Sequence, residues 1–226
     1  MDQQHPSPSR WAIVLAGGEG TRMQPLVHRW LGFNRPKQYC AFVGSRSIFQ
    51  HTVDRAALVT APERIVAVVG RDHRDEILTQ LQGRTIGQVI YQPRNCETAA
   101  GLFLPLTYIH ARAPGATVVI FASDHFIHPE DRFLAAVCRM AGLAETMPDR
   151  LVLLGIRPDR LEMEYGWILP GTALSSPEEA PICEVHSFME KPSRIQAVKA
   201  FRHGALWNTF VFAARAELLW QVGTRC

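Results

Sequence analysis

The sequence predicts an α/β fold in which a mostly parallel central sheet carries helices on both faces. Two observations support this class. Short β-branched runs alternate along the chain with segments whose apolar residues recur at helical spacing, and such alternation implies right-handed crossovers between parallel strands. The glycine-rich and polar motifs follow several of these runs. They are therefore expected at the carboxyl ends of strands, where open α/β sheets bind ligands.

The individual elements follow from the two periodicities in chain order. Short apolar runs bounded by glycine, proline or polar residues predict strands at 11–15, 64–69, 88–91, 117–122 and 151–154. The longer periodic segments between them predict helices at 48–58, 75–81, 99–111 and 130–144. After Gly155 the pattern changes to mixed loop and strand, with a proline- and serine-rich loop over 172–181. The remaining predicted elements are strands at 182–189 and 207–213 and helices at 195–203 and 216–222.

Composition narrows the class of partner. The 226 residues are 47% hydrophobic and 20% charged with a formal charge of +3, as in an ordinary globular domain. The basic residues are scattered and no apolar run approaches the roughly 20 residues of a membrane span, so neither nucleic acid nor membrane is expected as a partner. The polar start MDQQHPSPSR lacks the apolar core of a signal peptide. We expect a disordered tail over 1–9, one domain over 10–226 and a cytoplasmic protein with five reduced, structural cysteines.

A glycine-rich loop, LAGGEGTR, follows the first predicted strand. Glycine lets main-chain N–H groups approach a ligand closely, so such a loop suits a phosphate. The loop is not a dinucleotide fingerprint, because Met23 stands where a small residue is needed, and it lacks the Gly-Lys-Ser/Thr of an NTPase phosphate loop. Arg22 and, on a proline-stiffened turn, Lys37 add positive charge. The combination predicts an anion site. The alternative is that Arg22 is a solvated loop residue and Lys37 an ordinary surface charge.

Six stretches, in chain order, resemble the signature of the sugar-1-phosphate nucleotidyltransferase family. They are LAGGEGTR with PKQ, QPRN, FASDH, GIRPDRLEMEYGWI, FMEKP and LWNTF. PKQ in particular is similar to the branch that makes GDP-mannose from GTP and mannose 1-phosphate. The resemblance implies a Rossmann-like, GT-A-like sheet and an enzyme in which the sugar-1-phosphate oxygen attacks the α-phosphorus of the NTP and pyrophosphate leaves. It also implies Mg²⁺ as cofactor, a usual domain longer than 10–226, and a homodimer as one assembly to test.

The same resemblance implies roles for individual residues. Those expected in catalysis are Arg22, Lys37, Asp124 and Lys191. Those expected to contact the nucleotide are Leu15, Gly17, Gly18, Gly20, Thr21, Gln92, Arg94 and Asn95. Those expected to contact the sugar are Tyr165, Gly166, Glu190 and Asn208, with Asp124 and Asn208 as magnesium ligands. A single carboxylate suffices for Mg²⁺, because the ion keeps waters and takes substrate phosphate oxygens.

Some of these residues keep a structural alternative. Asp124 could cap the next turn or pair with an arginine, and the Glu190-Lys191 pair could be a solvated surface feature. His125 and His128 are interpreted as loop residues, because their spacing lacks a third ligand for a transition metal.

Three stretches depart from the family pattern. In WNTF, Thr209-Phe210 replaces the family's Ser-Gly, and phenylalanine is expected to lack glycine's backbone freedom. The loop from Arg94 through Cys96-Glu97 is longer than the family's Arg-Asn-Thr-Ala-Pro. An aromatic segment over 28–34 precedes RPKQ, and it could serve as a lid or only contribute to packing. Two alternatives therefore stay open: a thymidylyl- or uridylyltransferase acting on glucose 1-phosphate, and a non-catalytic nucleotide-sugar-binding module.

Overall fold

The computed structural model describes residues 9–94, 97–175 and 181–225. Contacts divide the chain into two compact units, which are described separately. The first unit contains the described residues up to Val152 and from Phe212 onward, and the second contains Leu153–Val211. Residues 1–8, most of the predicted tail, lie outside the described part. Within that part, no helix has the length and apolar character needed to cross a membrane.

Strands and helices alternate in the first unit as predicted. The strands β1 to β3 run parallel in the order β3-β2-β1, β4 lies parallel on the other side of β1, and the end of β8 is antiparallel to β4. The predicted α/β class with a mostly parallel sheet is confirmed. In chain order the elements are β1 (Arg10–Ala16), α1 (Gln24–Leu31), α2 (Ile48–Ala57), β2 (Ile65–Gly70), α3 (Arg74–Gln80), β3 (Gln88–Gln92), α4 (Glu97–Arg112), β4 (Thr117–Ala122), α5 (Glu130–Thr146), the residues of β8 (Leu206–Arg215) from Phe212 onward, and α7 (Ala216–Gly223).

The three central strands of this unit are apolar at nearly every position. Ile13 in β1, Val66 in β2 and Val119 in β4 are completely buried, as are their neighbours along each strand. Continuous burial of this kind requires cover on both faces of the sheet. The crossovers from β1 to β2 and from β2 to β3 lead in one direction, whereas β3 connects back past β1 to β4. Right-handed crossovers therefore place α4 on the face opposite to α2 and α3.

The second unit is built on antiparallel strands. Its elements are β5 (Val152–Ile156), β6 (Trp167–Ala173), β7 (Cys183–Met189), α6 (Arg194–Arg202) and the first part of β8. β6 pairs with β7 along its length and with β8 at Trp207. Ser193 begins α6 with a reciprocal cap to Gln196, which satisfies free N–H groups of the first turn. The helix then packs Ala197 and Ala200 on the buried rings of Trp167 and Trp207.

Two elements were missing from the sequence prediction. α1 covers part of the aromatic 28–34 segment, and this eight-residue helix buries only Val27 while Leu26 and Trp30 stay exposed. β6 contains Pro170 and Gly171, which interrupt a strand pattern and coincide with a shift in pairing register. Because β6 runs to Ala173, the predicted loop over 172–181 begins later than expected, and its residues 176–180 lie outside the described part.

Candidate active site

The topology of the first unit brings the ends of β1 and β4 together. The direction of the crossovers reverses between these two strands, which makes a switch point of the kind where α/β sheets bind ligands. Leu15 and Ala122 lie opposite each other in the parallel pair. The next residue, Ser123, donates to the Leu15 carbonyl from its backbone N at 3.1 Å and from its hydroxyl at 2.6 Å. These two hydrogen bonds fix Asp124 beside the start of the glycine-rich loop.

The glycine-rich loop contains one glycine in the left-handed conformation and one whose surroundings are open. Gly20 adopts a φ of 63°, and a Cβ there would lie 3.2 Å from both the backbone N and Cγ of Lys37. Gly18 is exposed, with nothing near its missing side chain, so its backbone is open to a ligand. Thr21 and Arg22 follow in a short 3₁₀ turn, also on the surface. The loop therefore packs on Lys37 at one end and faces solvent at the other.

Gln38 holds the inner part of this loop. Its side chain is only 2% exposed, and Nε2 donates to the carbonyls of Ala16 at 3.0 Å and Gly18 at 2.7 Å. Both amide protons of one side chain are thus used to set the path of the loop. No role was predicted for Gln38 from the sequence, and the nearest signal was its place at the end of PKQ, in an expected phosphate-binding turn.

His73 and Tyr39 form a second support beneath the loop. The Tyr39 hydroxyl lies 3.3 Å from His73 Nδ1, and the two rings meet edge to face at 5.4 Å. Burial lowers the pKa of His73, although a hydrogen bond with the Ala16 backbone acts in the opposite direction. Burial also raises the pKa of Tyr39. Both groups are therefore uncharged at neutral pH and act as a packed, polar brace.

Two predicted catalytic residues form an ion pair in the first unit. Lys37 Nζ lies 2.7 Å from Asp124 Oδ2, and both side chains are about one-third exposed, at 34% and 33%. His125 Nε2 is 3.7 Å from Asp124 Oδ1. Burial alone would raise the pKa of Asp124, but the electrostatic effect of His125 and the hydrogen bond and charge of Lys37 bring it below its ordinary value. Asp124 is consequently a carboxylate at neutral pH, and it pairs with a lysine rather than with the arginine considered above.

A buried arginine lies behind this pair. The Arg55 side chain is 4% exposed and contacts Glu130 Oε1 at 3.3 Å, and it donates to Thr52 Oγ1 at 2.8 Å. A longer contact of 3.5 Å reaches the carbonyl of His125. Burial lowers the pKa of Arg55, yet an arginine remains charged at neutral pH. No motif marked Arg55 in the sequence, since it occupies an ordinary helical position of α2.

The predicted base-contacting residues lie at the end of β3. Gln92 is the last residue of that strand and is buried, and its amide packs against the backbone of Gly17 and Gly101. Arg94 is exposed two residues further on, while Asn95 lies outside the described residues. The structure thus brings Gln92 to the glycine-rich loop, from which it is distant in sequence.

The predicted sugar residues meet within the second unit. A Cβ on Gly166 would lie 2.8 Å from Phe188 Cζ, 3.0 Å from Glu190 Oε2 and 3.3 Å from Asn208 Cβ, so a larger residue there would displace the neighbouring side chains. Asn208 donates from its backbone N to the Gly166 carbonyl at 2.8 Å. Tyr165 is exposed and meets Trp207 edge to face at 5.3 Å. A carboxylate, an amide and an aromatic ring, the usual groups for binding sugar hydroxyls and rings, are therefore neighbours.

Lys191 and Phe210 both carry a left-handed backbone in this unit, with φ of 45° and 57°. The expectation that phenylalanine would exclude glycine's conformation at position 210 is wrong. The Phe210 N–H donates to Asn208 Oδ1 at 3.1 Å, and the adjacent Thr209 hydroxyl donates to the Leu154 carbonyl at 2.6 Å. These bonds offset a backbone cost of about 1–3 kcal/mol. The first of them also engages the Asn208 oxygen that was expected to reach the metal or the sugar.

The donor set fits a magnesium ion shared with a substrate. Across the described residues, no three His, Cys, Asp or Glu side chains converge on one point, so a metal cage made of protein alone is not present in that part. Asp124 offers a partly exposed carboxylate, and Mg²⁺ takes its other oxygens from water and phosphate. Of the two residues expected as magnesium ligands, Asp124 belongs to the first unit and Asn208 to the second.

Comparison with known proteins gives concordant results. The sequence profile of the family described as nucleotidyl transferase matches residues 11–224. The xanthan biosynthesis protein XanB of Xanthomonas campestris pv. campestris is 32% identical over 208 residues, covering 91% of this chain and 42% of its own length. A mannose-1-phosphate guanylyltransferase of Escherichia coli K12 is 30% identical over 211 residues, with 91% and 43% covered. This chain thus spans less than half the length of these relatives.

A solved structure from Thermus thermophilus is similar over nearly the whole chain. That protein, described as a mannose-1-phosphate geranyltransferase, superposes with a TM-score of 0.81 at 28% identity. The match covers 96% of this chain and 60% of the other.

Proposed function

Because the chain belongs to the nucleotidyltransferase family, we propose that it joins GTP to mannose 1-phosphate, giving GDP-mannose and pyrophosphate. An oxygen of the sugar phosphate attacks the α-phosphorus, the bond between that phosphorus and the bridging oxygen to the β-phosphate breaks, and pyrophosphate carries away the electron pair. Such a transfer needs positioning and neutralisation of charge more than covalent help from the protein. The observation that carries the proposal is the glycine-rich loop beside the Lys37–Asp124 pair at the switch point of the sheet.

The triphosphate would bind on the glycine-rich loop of the first unit. The loop backbone is open at Gly18 and fixed from below by Gln38, so main-chain donors are held in place before the nucleotide arrives. Positive charge comes from Arg22, in the turn that ends the loop, and from Lys37, which packs on Gly20. Fixed donors and cations are the groups that stabilise charge moving toward a leaving pyrophosphate.

The metal would be held by Asp124. When bound, Mg²⁺ would neutralise phosphate charge and orient the nucleotide for in-line attack. The protein's own contribution is the rigid placement of the carboxylate, which Ser123 and the buried strand β4 provide.

Base and sugar would be read by separate groups of residues. Gln92 and Arg94 of the first unit, with Asn95, carry the amide and guanidinium groups that can distinguish bases. In the second unit, Tyr165, Gly166 and Glu190 would contact the sugar, with Asn208 beside them and Lys191 near its phosphate. The similarity to mannose-1-phosphate guanylyltransferases at about 30% identity supports GTP and mannose 1-phosphate as the pair.

Pyrophosphate release tests the proposal directly. GTP, dTTP, UTP and CTP are each supplied with mannose 1-phosphate or glucose 1-phosphate in the presence of Mg²⁺. We expect the highest kcat/KM for GTP with mannose 1-phosphate. A clear preference for dTTP or UTP would make the protein a thymidylyl- or uridylyltransferase, and no release with any pair would leave a binding module.

Substitution of Arg22 tests the role of the loop cation. We expect Arg22→Ala to lower kcat by at least about tenfold, because loss of a charge-assisted hydrogen bond costs about 1.5–3 kcal/mol. GTP affinity should change less than kcat if Arg22 acts on the transition state. Arg29→Ala on the exposed face of α1 is the matched control. An unchanged kcat for Arg22→Ala would rule out this role.

A further inference from the structure

The ion pair between Lys37 and Asp124 occupies the carboxylate that the proposed function assigns to the metal. We propose that Lys37 competes with the divalent cation for Asp124 in the nucleotide-free protein. The triphosphate attracts the lysine away from Asp124, so that the metal binds together with the nucleotide and not before it. This inference rests on the proposed function, since it names how the same site couples its two ligands.

The backbone of Lys37 is held in place by packing, whereas its charged end can move. It begins a 3₁₀ turn whose next two residues, Gln38 and Tyr39, are almost completely buried. Its Cγ and backbone N lie against Gly20, so the stem is packed on the proposed triphosphate-binding loop. The side chain as a whole is about one-third exposed, and its ammonium group is carried on a flexible four-carbon chain. A rotation of that side chain is enough to exchange the carboxylate for a phosphate bound on the loop.

The local charges favour competition between Lys37 and the metal when no phosphate is present. A magnesium ion would coordinate the carboxylate at about 2.0–2.1 Å, while the ammonium is 2.7 Å from Oδ2. Two cations would then share one negative charge. The buried Arg55 guanidinium lies 3.5 Å from the carbonyl of the adjacent His125 and has its own partner in Glu130. Bringing the triphosphate adds several negative charges and removes the conflict, because each cation can then have its own anion.

The coupling must act in both directions. If nucleotide binding raises the affinity for the metal, then the bound metal must raise the affinity for the nucleotide by the same factor, by thermodynamic linkage. The same competition predicts that removing the Asp124 charge frees Lys37 for the nucleotide. This gives a measurement for each partner, and neither measurement requires turnover.

Binding of Mn²⁺ to the nucleotide-free protein, followed by electron paramagnetic resonance of the unbound ion, is the first experiment. We expect Lys37→Met and Lys37→Gln to bind Mn²⁺ at least about tenfold more tightly than the parent chain, and Lys37→Arg to stay within about threefold of it. The control is Lys199→Met. Lys199 is one of the three lysines of the chain and lies on α6 in the second unit, so this substitution should leave Mn²⁺ affinity unchanged. The gain should disappear in the double variant Lys37→Met with Asp124→Asn.

Binding of GTP in the presence of a chelator is the second experiment. Asp124→Asn should bind metal-free GTP as tightly as the parent or up to several-fold more tightly, whereas Lys37→Met should bind it more weakly. The inference is overturned if both neutral Lys37 variants bind Mn²⁺ no better than the parent, or if the gain persists in the double variant. Failure of the proposed function would appear in a different measurement, as absence of pyrophosphate release from the parent chain. The Mn²⁺ measurements could still agree with the coupling in that case.

Discussion

Replacement of Gln38 with methionine should lower kcat/KM for GTP about 100-fold, mainly through a higher KM. The substitution keeps the length of the side chain and removes both donors to the Ala16 and Gly18 carbonyls. Leaving the buried Ala16 carbonyl without its partner costs about 1–3 kcal/mol, and 100-fold corresponds to about 2.7 kcal/mol. The loop can relieve this cost only by turning its carbonyls toward water, which also turns the N–H groups that should face the triphosphate.

A matched control separates positioning of the loop from general stability. Gln80 is also a buried glutamine of the first unit, with side-chain bonds to Ser47 and Glu76. Gln80→Met should lower the melting temperature at least as much as Gln38→Met does, with KM for GTP within about threefold of the parent. Gln38→Glu should not restore activity, because a carboxylate cannot donate to the two carbonyls. Parental kinetic constants in Gln38→Met would show that the loop holds its shape without this side chain.

Much of the candidate site was predictable because parallel strands place their carboxyl ends at one edge of a sheet. The strands β1, β3 and β4 were readable from their short apolar runs, and each is followed directly by a motif. Knowing the strand ends was therefore enough to expect the glycine-rich loop, Gln92 and Asp124 in one region. The structure adds the contact of the Gln92 amide with Gly17 and the 2.7 Å ion pair of Asp124 with Lys37.

The features that could not be predicted from the sequence depend on tertiary contacts. Gln38 and Arg55 act through the carbonyls they reach, and a carbonyl partner leaves no mark in the sequence. The conformation of Phe210 was mispredicted because intrinsic preference disfavours a positive φ, whereas the bond from its N–H to Asn208 Oδ1 supports it. The two units could not be predicted from the sequence, because no linker separates them and strand β8 contributes residues to both.

The second large effect is expected for Asp124→Asn, which keeps the shape and one oxygen of the side chain but removes its charge. Fold and melting temperature should change little, because an ion pair that is one-third exposed contributes only about 0–1 kcal/mol. With several kcal/mol of charge stabilisation assigned to the metal, kcat should fall at least about 100-fold. Asp149→Asn, at an exposed aspartate beside Arg150, is the matched control and should keep parental activity.

The measurement that checks this prediction is the steady-state rate against magnesium concentration, paired with GTP affinity in a chelator. Asp124 is ionised at neutral pH, since its pKa lies below the ordinary value, so the parent should be saturated by magnesium at a concentration that leaves the variant unsaturated. Raising the magnesium concentration should recover part of the lost rate if the asparagine oxygen still coordinates weakly. Metal-free GTP affinity should be equal to the parent's or somewhat higher, because a negative charge beside the triphosphate is gone. Near-parental activity of the variant at low magnesium would instead make Asp124 a structural partner of Lys37, and another carboxylate would have to hold the metal.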